Sequence, residues 1–163
     1  MRNIFKTTLL ATLLATTAAA AQAESYFEGG FIQVSADEGD ISVSHYGALG
    51  VIGAVLQSTE QFSHNAEAII VAGLNSDKVY GIDVKLQSMV GLAYRPTIQL
   101  SDSIALSGRA GIFRARVKAS GFGESASDTS SDFGIGIGID FKKVSLSYLN
   151  VDDTNFVMAT YRF

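Results

Sequence analysis

From residue 25 to its end the chain alternates apolar and polar positions with a period of two, interrupted by short polar turns. That period is the signature of β-strands, whose successive side chains point to opposite faces. It predicts eight strands, at roughly 25–36, 46–56, 65–74, 80–95, 103–117, 132–141, 144–151 and 155–163. The connections read "DEGDISVSH", "QSTEQFSH", "NSDKV", "TIQLSD", "KASGFGESASDTSS", "KK" and "DDT", and the serine- and glycine-rich fifth is expected to be a mobile loop. No helical period competes over a comparable length, and there is no internal repeat. The stretch "DFGIGIGIDF" could suggest a phosphate-cradling glycine loop, but the dinucleotide fingerprint G-x-G-x-x-G opens a helix, and no helix follows here.

The two faces of these strands differ. In the fourth, Ile82, Val84, Leu86, Val90, Leu92 and Tyr94 share one parity, and Asp83, Lys85, Gln87, Met89 and Arg95 the other. In the sixth, Phe133, Ile135, Ile137, Ile139 and Phe141 oppose Gly134, Gly136, Gly138 and Asp140. The last sets Val157, Ala159, Tyr161 and Phe163 against Met158, Thr160 and Arg162, and the third sets Ala66, Ala68, Ile70, Ala72 and Leu74 against Glu67. Residues 46–56 are apolar on both faces, so their facing is undetermined. Phe113 and Phe156 share parity with Arg109 and Arg162, which implies either a register change or aromatic packing on the charged side.

The N-terminus changes the picture. Arg2 and Lys6 precede an apolar core at Leu9–Ala20, and Ala21-Gln22-Ala23 is a small-x-small cleavage pattern, so residues 1–23 are expected to be a signal peptide. That core falls short of the about 20 residues a membrane helix needs. There is no cysteine, which excludes a lipoprotein and disulfide staples alike. Of the 12 lysines and arginines, Arg2 and Lys6 lie in the leader, leaving 10 against 16 acidic residues, a net charge of −6 over residues 24–163. No basic block points to nucleic acid.

A soluble sheet with its apolar face inward would show the same alternation, as would a periplasmic barrel carrying an apolar ligand. Three features favour a membrane. The strand count is even. Aromatics fall near strand ends on the apolar parity: Tyr80, Phe133 and Tyr148 at one rim, Tyr94, Phe141, Tyr161 and Phe163 at the other. Connections alternate in character: the first, third, fifth and seventh carry most of the acidic and serine-rich sequence, and the sixth is only Lys142-Lys143, a tight hairpin turn. The expected fold is all-β, an eight-stranded antiparallel up-and-down transmembrane β-barrel over residues 24–163. Eight strands leave room only for side chains. Glu28, Glu67, Asp83, Lys85, Arg109, Asp140 and Arg162 are therefore expected to pair across the lumen, with inward glycines making space. A charge at Ile137 is expected to block assembly, and Gly136→Ala to do much less harm.

Over the whole of 24–163 the chain resembles the small eight-stranded outer-membrane barrels, typified by the OmpA transmembrane domain and OmpX/Ail-type proteins. The terminal "NFVMATYRF" carries most of that resemblance, and the opening "YFEGGF" some of it. The resemblance implies that Tyr161 and Phe163 form the signal read by the barrel-assembly machinery. It implies residence in the Gram-negative outer membrane, among lipid and lipopolysaccharide. It also implies a structural or surface-interaction role, met through outer loops by a host or surface partner and serving membrane integrity, adhesion or surface protection. No cofactor is implied, and no peptidoglycan-binding domain is expected after Phe163.

Candidate chemistry is sparse. His45 follows Asp40, Ser42 and Ser44 in the first outer loop, where it is expected to be a solvated loop histidine. A lipid A-modifying enzyme using it would need a serine within hydrogen-bond reach. His64 reads as a turn residue. "DEGD" and "DDT" lack the spacing of a calcium loop. Arg114, Arg116 and Lys118, at the outer end of the fifth predicted strand, are candidates to meet lipopolysaccharide phosphates through charge-assisted hydrogen bonds.

Overall fold

The computed structural model describes residues 24–38, 41–79, 81–122 and 124–163. The predicted leader and Tyr80 lie outside them. Nine strands follow one another: β1 (Ser25–Glu38), β2 (Ile41–Ser58), β3 (Phe62–Gly73), β4 (Asp77–Val79), β5 (Ile82–Ser101), β6 (Ile104–Gly121), β7 (Glu124–Phe141), β8 (Val144–Val151) and β9 (Thr154–Arg162). All pairings are antiparallel. The pairings of β1 with β9 and of β3 with β5 close eight of the strands into a ring. β4 pairs with β5 alone in the ladder, at its outer end.

Apolar side chains cover the outside and are also packed within. Ile137 stands 72% exposed on β7, midway between outward-facing Phe133 and Phe141. Such a surface is stable only against hydrocarbon, and closure leaves no unpaired strand edge there. Two-residue turns join β5 to β6, β7 to β8 and β8 to β9. Lys142 (φ 55°) and Asp152 (φ 52°) open the last two with the positive φ that tight hairpins require.

The strands are much longer on one side than on the other. β8 and β9 have 8 and 9 residues, close to the 9–11 that cross a bilayer. β6 and β7 pair without interruption from Ile104↔Phe141 to Gly121↔Glu124. Their 18 residues each correspond to roughly 60 Å of strand at about 3.3 Å per residue, well beyond the hydrocarbon thickness. The described residues of "SGFGESASDTSSD", expected to be a mobile loop, instead belong to the outer half of this hairpin, where Phe122, beyond the last pair, is 89% exposed. Alternating serine and threonine along residues 125–131 is a strand pattern, although its composition resembles a loop.

Register explains two further departures. A bulge between Leu86 and Ser88 on β5 adds one residue and reverses the facing above it. Leu86, expected on the lipid face, is therefore buried inside. On β2 the odd positions from His45 to Gly53 face inward, and Tyr46 and Ile52 face outward, which fixes the undetermined stretch. Phe113 and Phe156 are both buried in the upper lumen, so aromatic packing is the correct alternative for them. Glycines make room there: a Cβ on Gly91 would strike the Phe113 ring. Gly136 answers a different need. A Cβ there would press on the Tyr148 carbonyl oxygen and lie 3.0 Å from Leu149 Cα, so Gly136→Ala is not the mild change expected.

Above Gly73 the ladder between β2 and β3 ends, and side chains replace it. Asn75 Oδ1 accepts the Tyr46 N–H at 2.6 Å, and Asp77 Oδ2 accepts the Ser44 N–H at 3.1 Å. The Lys78 N–H also donates to Asp77, at 2.8 Å. These two amides, that of Ser44 foremost, hold the Asp77 carboxyl below its ordinary pKa. A carboxyl depressed in this way stabilises the corner above its unfolded titration range and loses that contribution as pH falls through the folded pKa. Hydrogen-exchange protection at Ser44 and Lys78 should fall on acidification through that range, and Asp77→Ala should remove the pH dependence. In urea titrations in vesicles, Ile137→Arg should cost about 2–4 kcal/mol. Gly136→Ala should cost about 1–3 kcal/mol through overpacking.

Candidate functional site

The lumen changes character along its axis. Near the periplasmic end it holds a compact ionic layer centred on Arg95, which is 1% exposed. Arg95 Nη1 donates to Glu28 Oε1 at 3.1 Å and to Glu67 Oε1 at 2.9 Å. Its Nη2 pairs with Asp140 and donates to Ser145 Oγ at 3.3 Å. Arg109 Nε donates to Glu67 Oε2 at 2.7 Å, and its Nη1 to Ser147 Oγ at 3.1 Å. Arg162 Nη2 reaches Glu28 Oε1 at 2.7 Å, and Thr160 donates to Glu28 Oε2 at 2.8 Å. The Tyr26 hydroxyl donates to Glu67 at 2.8 Å, and the Arg162 guanidinium lies 4.0 Å from the Tyr26 ring centroid.

Three guanidinium groups thus meet three carboxylates, and nearly every charged oxygen has a partner. Buried ions persist only when matched in this way, since an uncompensated charge is very costly. The layer brings together Glu28, Glu67, Arg109, Asp140 and Arg162. It does not include Asp83 or Lys85, which were expected there. The β5 bulge puts Lys85 on the exposed outer surface, and Asp83 shares its parity two residues further out. The hub, Arg95, is missing from the expected network, although it shares the charged parity of the fourth predicted strand as that strand's last residue. β5 continues to Ser101, six residues past Arg95, which places Arg95 inside the barrel rather than at a strand end. Tyr26 was legible: it lies two positions from Glu28 on the same parity.

Directly above the ionic layer, Ile32, Leu49, Val51, Ile69, Met158 and other buried apolar side chains pack the middle of the lumen. His45 belongs to this upper region. It lies on β2 rather than in a loop and is 6% exposed, so it is a buried strand residue and not the solvated one expected. The side chains of Asp40 and Ser42 lie outside the described residues. Ser44 alternates to the opposite face from His45. His64 faces the exterior near the periplasmic turn, bonded to and stacked on Tyr94.

On the outside, Tyr94, Phe133, Phe141, Tyr148, Tyr161 and Phe163 are all exposed. Phe27, Phe31, Tyr46 and Phe62, which the sequence pattern left unassigned, join them. Arg114 and Arg116 are exposed in line above outward-facing Ile112, and Lys118 follows on the same parity. Their β7 partners are Ser131, Thr129 and Ser127, and Arg116 donates to Ser127 Oγ at 3.3 Å. Lys118 stands directly opposite Lys85. None of these four cations enters an ion pair among the described residues. Among those residues there is no acidic or histidine cluster able to hold a metal ion.

A closed ring of eight long strands with a lipid-compatible exterior and an ion-filled interior is the architecture of an outer-membrane barrel. Residues 7–162 match the model of the outer membrane protein beta-barrel domain. The chain belongs to that family. Among solved structures it is similar to Ail, the attachment invasion locus protein of Yersinia pestis, at 19% identity and a TM-score of 0.62, over 86% of this chain and 99% of that one. It is also similar to Neisserial surface protein A, at 13% identity and a TM-score of 0.61, over 85% and 95% of the two chains. At these identities the likeness is one of fold. A search of curated protein sequences gives no significant match. Within this outer-membrane barrel, Arg95→Met should cost about 3–5 kcal/mol, because it strands buried carboxylates. Arg162→Met should cost less, its side chain being 41% exposed. Unfolding midpoints read from heat-modifiable gel mobility would rank the two.

Proposed function

We propose that this outer-membrane barrel is a surface-interaction protein whose tall β5–β7 wall binds anionic groups at the membrane surface, the phosphates of lipopolysaccharide first among them. The observation that carries this reading is the outward row Arg114, Arg116 and Lys118, set directly above the lipid-facing residues and flanked by hydroxyls. Like charges directly opposite on neighbouring strands repel, so Lys118 and Lys85 favour an anion between them. Below Arg114 an apolar groove lined by Ala68, Ile70, Val90, Leu92 and Ile112 supplies a course for an acyl chain. A phosphate above and a hydrocarbon chain below are the two ends of one lipid. Beyond the row, the exposed hairpin and Phe122 offer a surface for a host or surface partner.

The reading is non-enzymatic. Strand alternation sends Ser44 away from His45, and His45 Nδ1 has no partner among the described residues. We assign export to the leader at 1–23. We assign recognition by the barrel-assembly machinery to Tyr161 and Phe163, whose rings meet edge to face at 5.4 Å on the outer surface.

The Ail structure solved with the heparin analogue sucrose octasulfate raises a sulfated sugar as a second source of the same anion chemistry. Replacing Arg114, Arg116 and Lys118 together by alanine should lower affinity for lipopolysaccharide about tenfold or more in nanodiscs. The effect should be larger at low salt, where exposed charges are less screened. Enzymatically dephosphorylated lipopolysaccharide should bind wild type and variant alike, and competition by sucrose octasulfate would assign the row to sulfate. Equal binding of intact lipopolysaccharide to both proteins would sink the reading.

A further inference from the structure

The upper lumen is not completely filled. Between the apolar core and the outer rim lies a cavity of about 330 Å³, whose walls include Val34, Leu86, Met89, Phe113, Val151 and Phe156. That volume falls within the about 300–1,000 Å³ of small-molecule sites, which are mostly apolar with a few convergent polar groups. Here the polar groups are His45, Ser130, Asp132, Asp152 and Thr154. The His45 ring is buried and lines this space, and its enclosed Nδ1 has no hydrogen-bond partner among the described residues. An unmet buried nitrogen is costly to leave and marks where a ligand's polar atom would be accepted.

The rim selects the ligand's charge. Asp132 and Asp152 line the cavity, and among the described residues no lysine or arginine does. An anionic head would meet repulsion, whereas a hydroxyl or an ammonium group would be welcome. The approach is set by the uneven wall. β8 and β9 turn at Asp152, only four residues above outward-facing Tyr148, so the lip on that side is low and Val151, Asp152 and Thr154 form it. Next to this low lip, on the β8 side, the tall β6–β7 hairpin walls the chamber.

We propose that this outer lumen is a binding site for a small amphiphile with a neutral or cationic head. Its aliphatic body lies against Leu86, Met89, Phe113 and Phe156, and its head donates a hydrogen bond to His45 Nδ1 beside Asp132 and Asp152. At roughly 30 Å³ for each water-sized group, the cavity has room for about eleven. A ten-carbon chain with one head atom matches it. The site is distinct from the outward cationic row and does not depend on the reading of that row.

Its test uses the barrel of residues 24–163 in nanodiscs, with 1-aminodecane, 1-decanol and decanoate as probes and empty nanodiscs as the control. The methionine methyl groups report position: Met89 lines the cavity, and Met158 is buried in the core outside its lining. Aminodecane and decanol should shift the Met89 methyl saturably and leave Met158 unmoved, with decanoate at least tenfold weaker. His45→Phe should weaken decanol binding about tenfold. Asp132→Asn with Asp152→Asn should remove the preference for the amine. Ala115→Phe, filling the cavity, should abolish the shift while heat-modifiable mobility reports a folded barrel. The absence of a saturable Met89 shift in wild type with every probe would overturn the site, whatever the variants do. Tightest binding by decanoate would overturn its assigned chemistry.

Discussion

Backbone amides and carbonyls in hydrocarbon can bond only to one another, and everything else in this barrel depends on that constraint. It forces the ladder from β1 round to β9 to close, which in turn fixes which side chains face lipid and which are enclosed. Once closed, eight strands leave an interior too narrow for water to solvate a charge. Every ionic group placed inside must then find its counter-charge among its neighbours. The Arg95 layer meets that demand with balanced charges and with hydroxyls from Ser145, Ser147 and Thr160. Where the ladder between β2 and β3 stops, the same demand is met by Asn75 and Asp77, whose side-chain oxygens stand in for strand carbonyls.

The interior is stratified as a result. Charges gather in one layer toward the periplasmic side, apolar residues take the middle, and a partly open chamber remains beneath the outer rim. Glycine serves two distinct purposes in this arrangement. At Gly91 its missing side chain is a socket for Phe113, and at Gly136 it allows β7 and β8 to approach closely. The alternating glycines of "DFGIGIGIDF" are thus a record of contacts on the inner side of one strand.

Much of this was legible in the period-two pattern, because a strand with lipid on one side must repeat its apolar residues at every second position. The strand parity therefore identified the lipid face at Ile135, Ile137 and Ile139, and the interior at Glu28 and Glu67. Reading failed where local composition contradicted tertiary pairing. The fourth strand was expected to end at Arg95, yet it pairs on to Ser101 and carries Arg95 well inside the barrel. The serines of 125–131 suggested a loop, yet they pair residue for residue with β6. The bulge beside Leu86 inverted Asp83 and Lys85, and a bulge leaves no mark in residue types alone. His45 appeared solvated because its neighbours are polar, and only the strand beneath it reveals that it points inward.

The uninterrupted pairing of β6 with β7 also has a mechanical meaning. A load applied at Phe122 runs along the strand axes. The hairpin's bonds to β5 and β8 are then stressed in shear, many at once, instead of being peeled apart in succession. A flexible loop of the same length would stretch under tension and pass little of it on. This wall instead couples whatever holds its tip to the barrel, and through the barrel to the membrane.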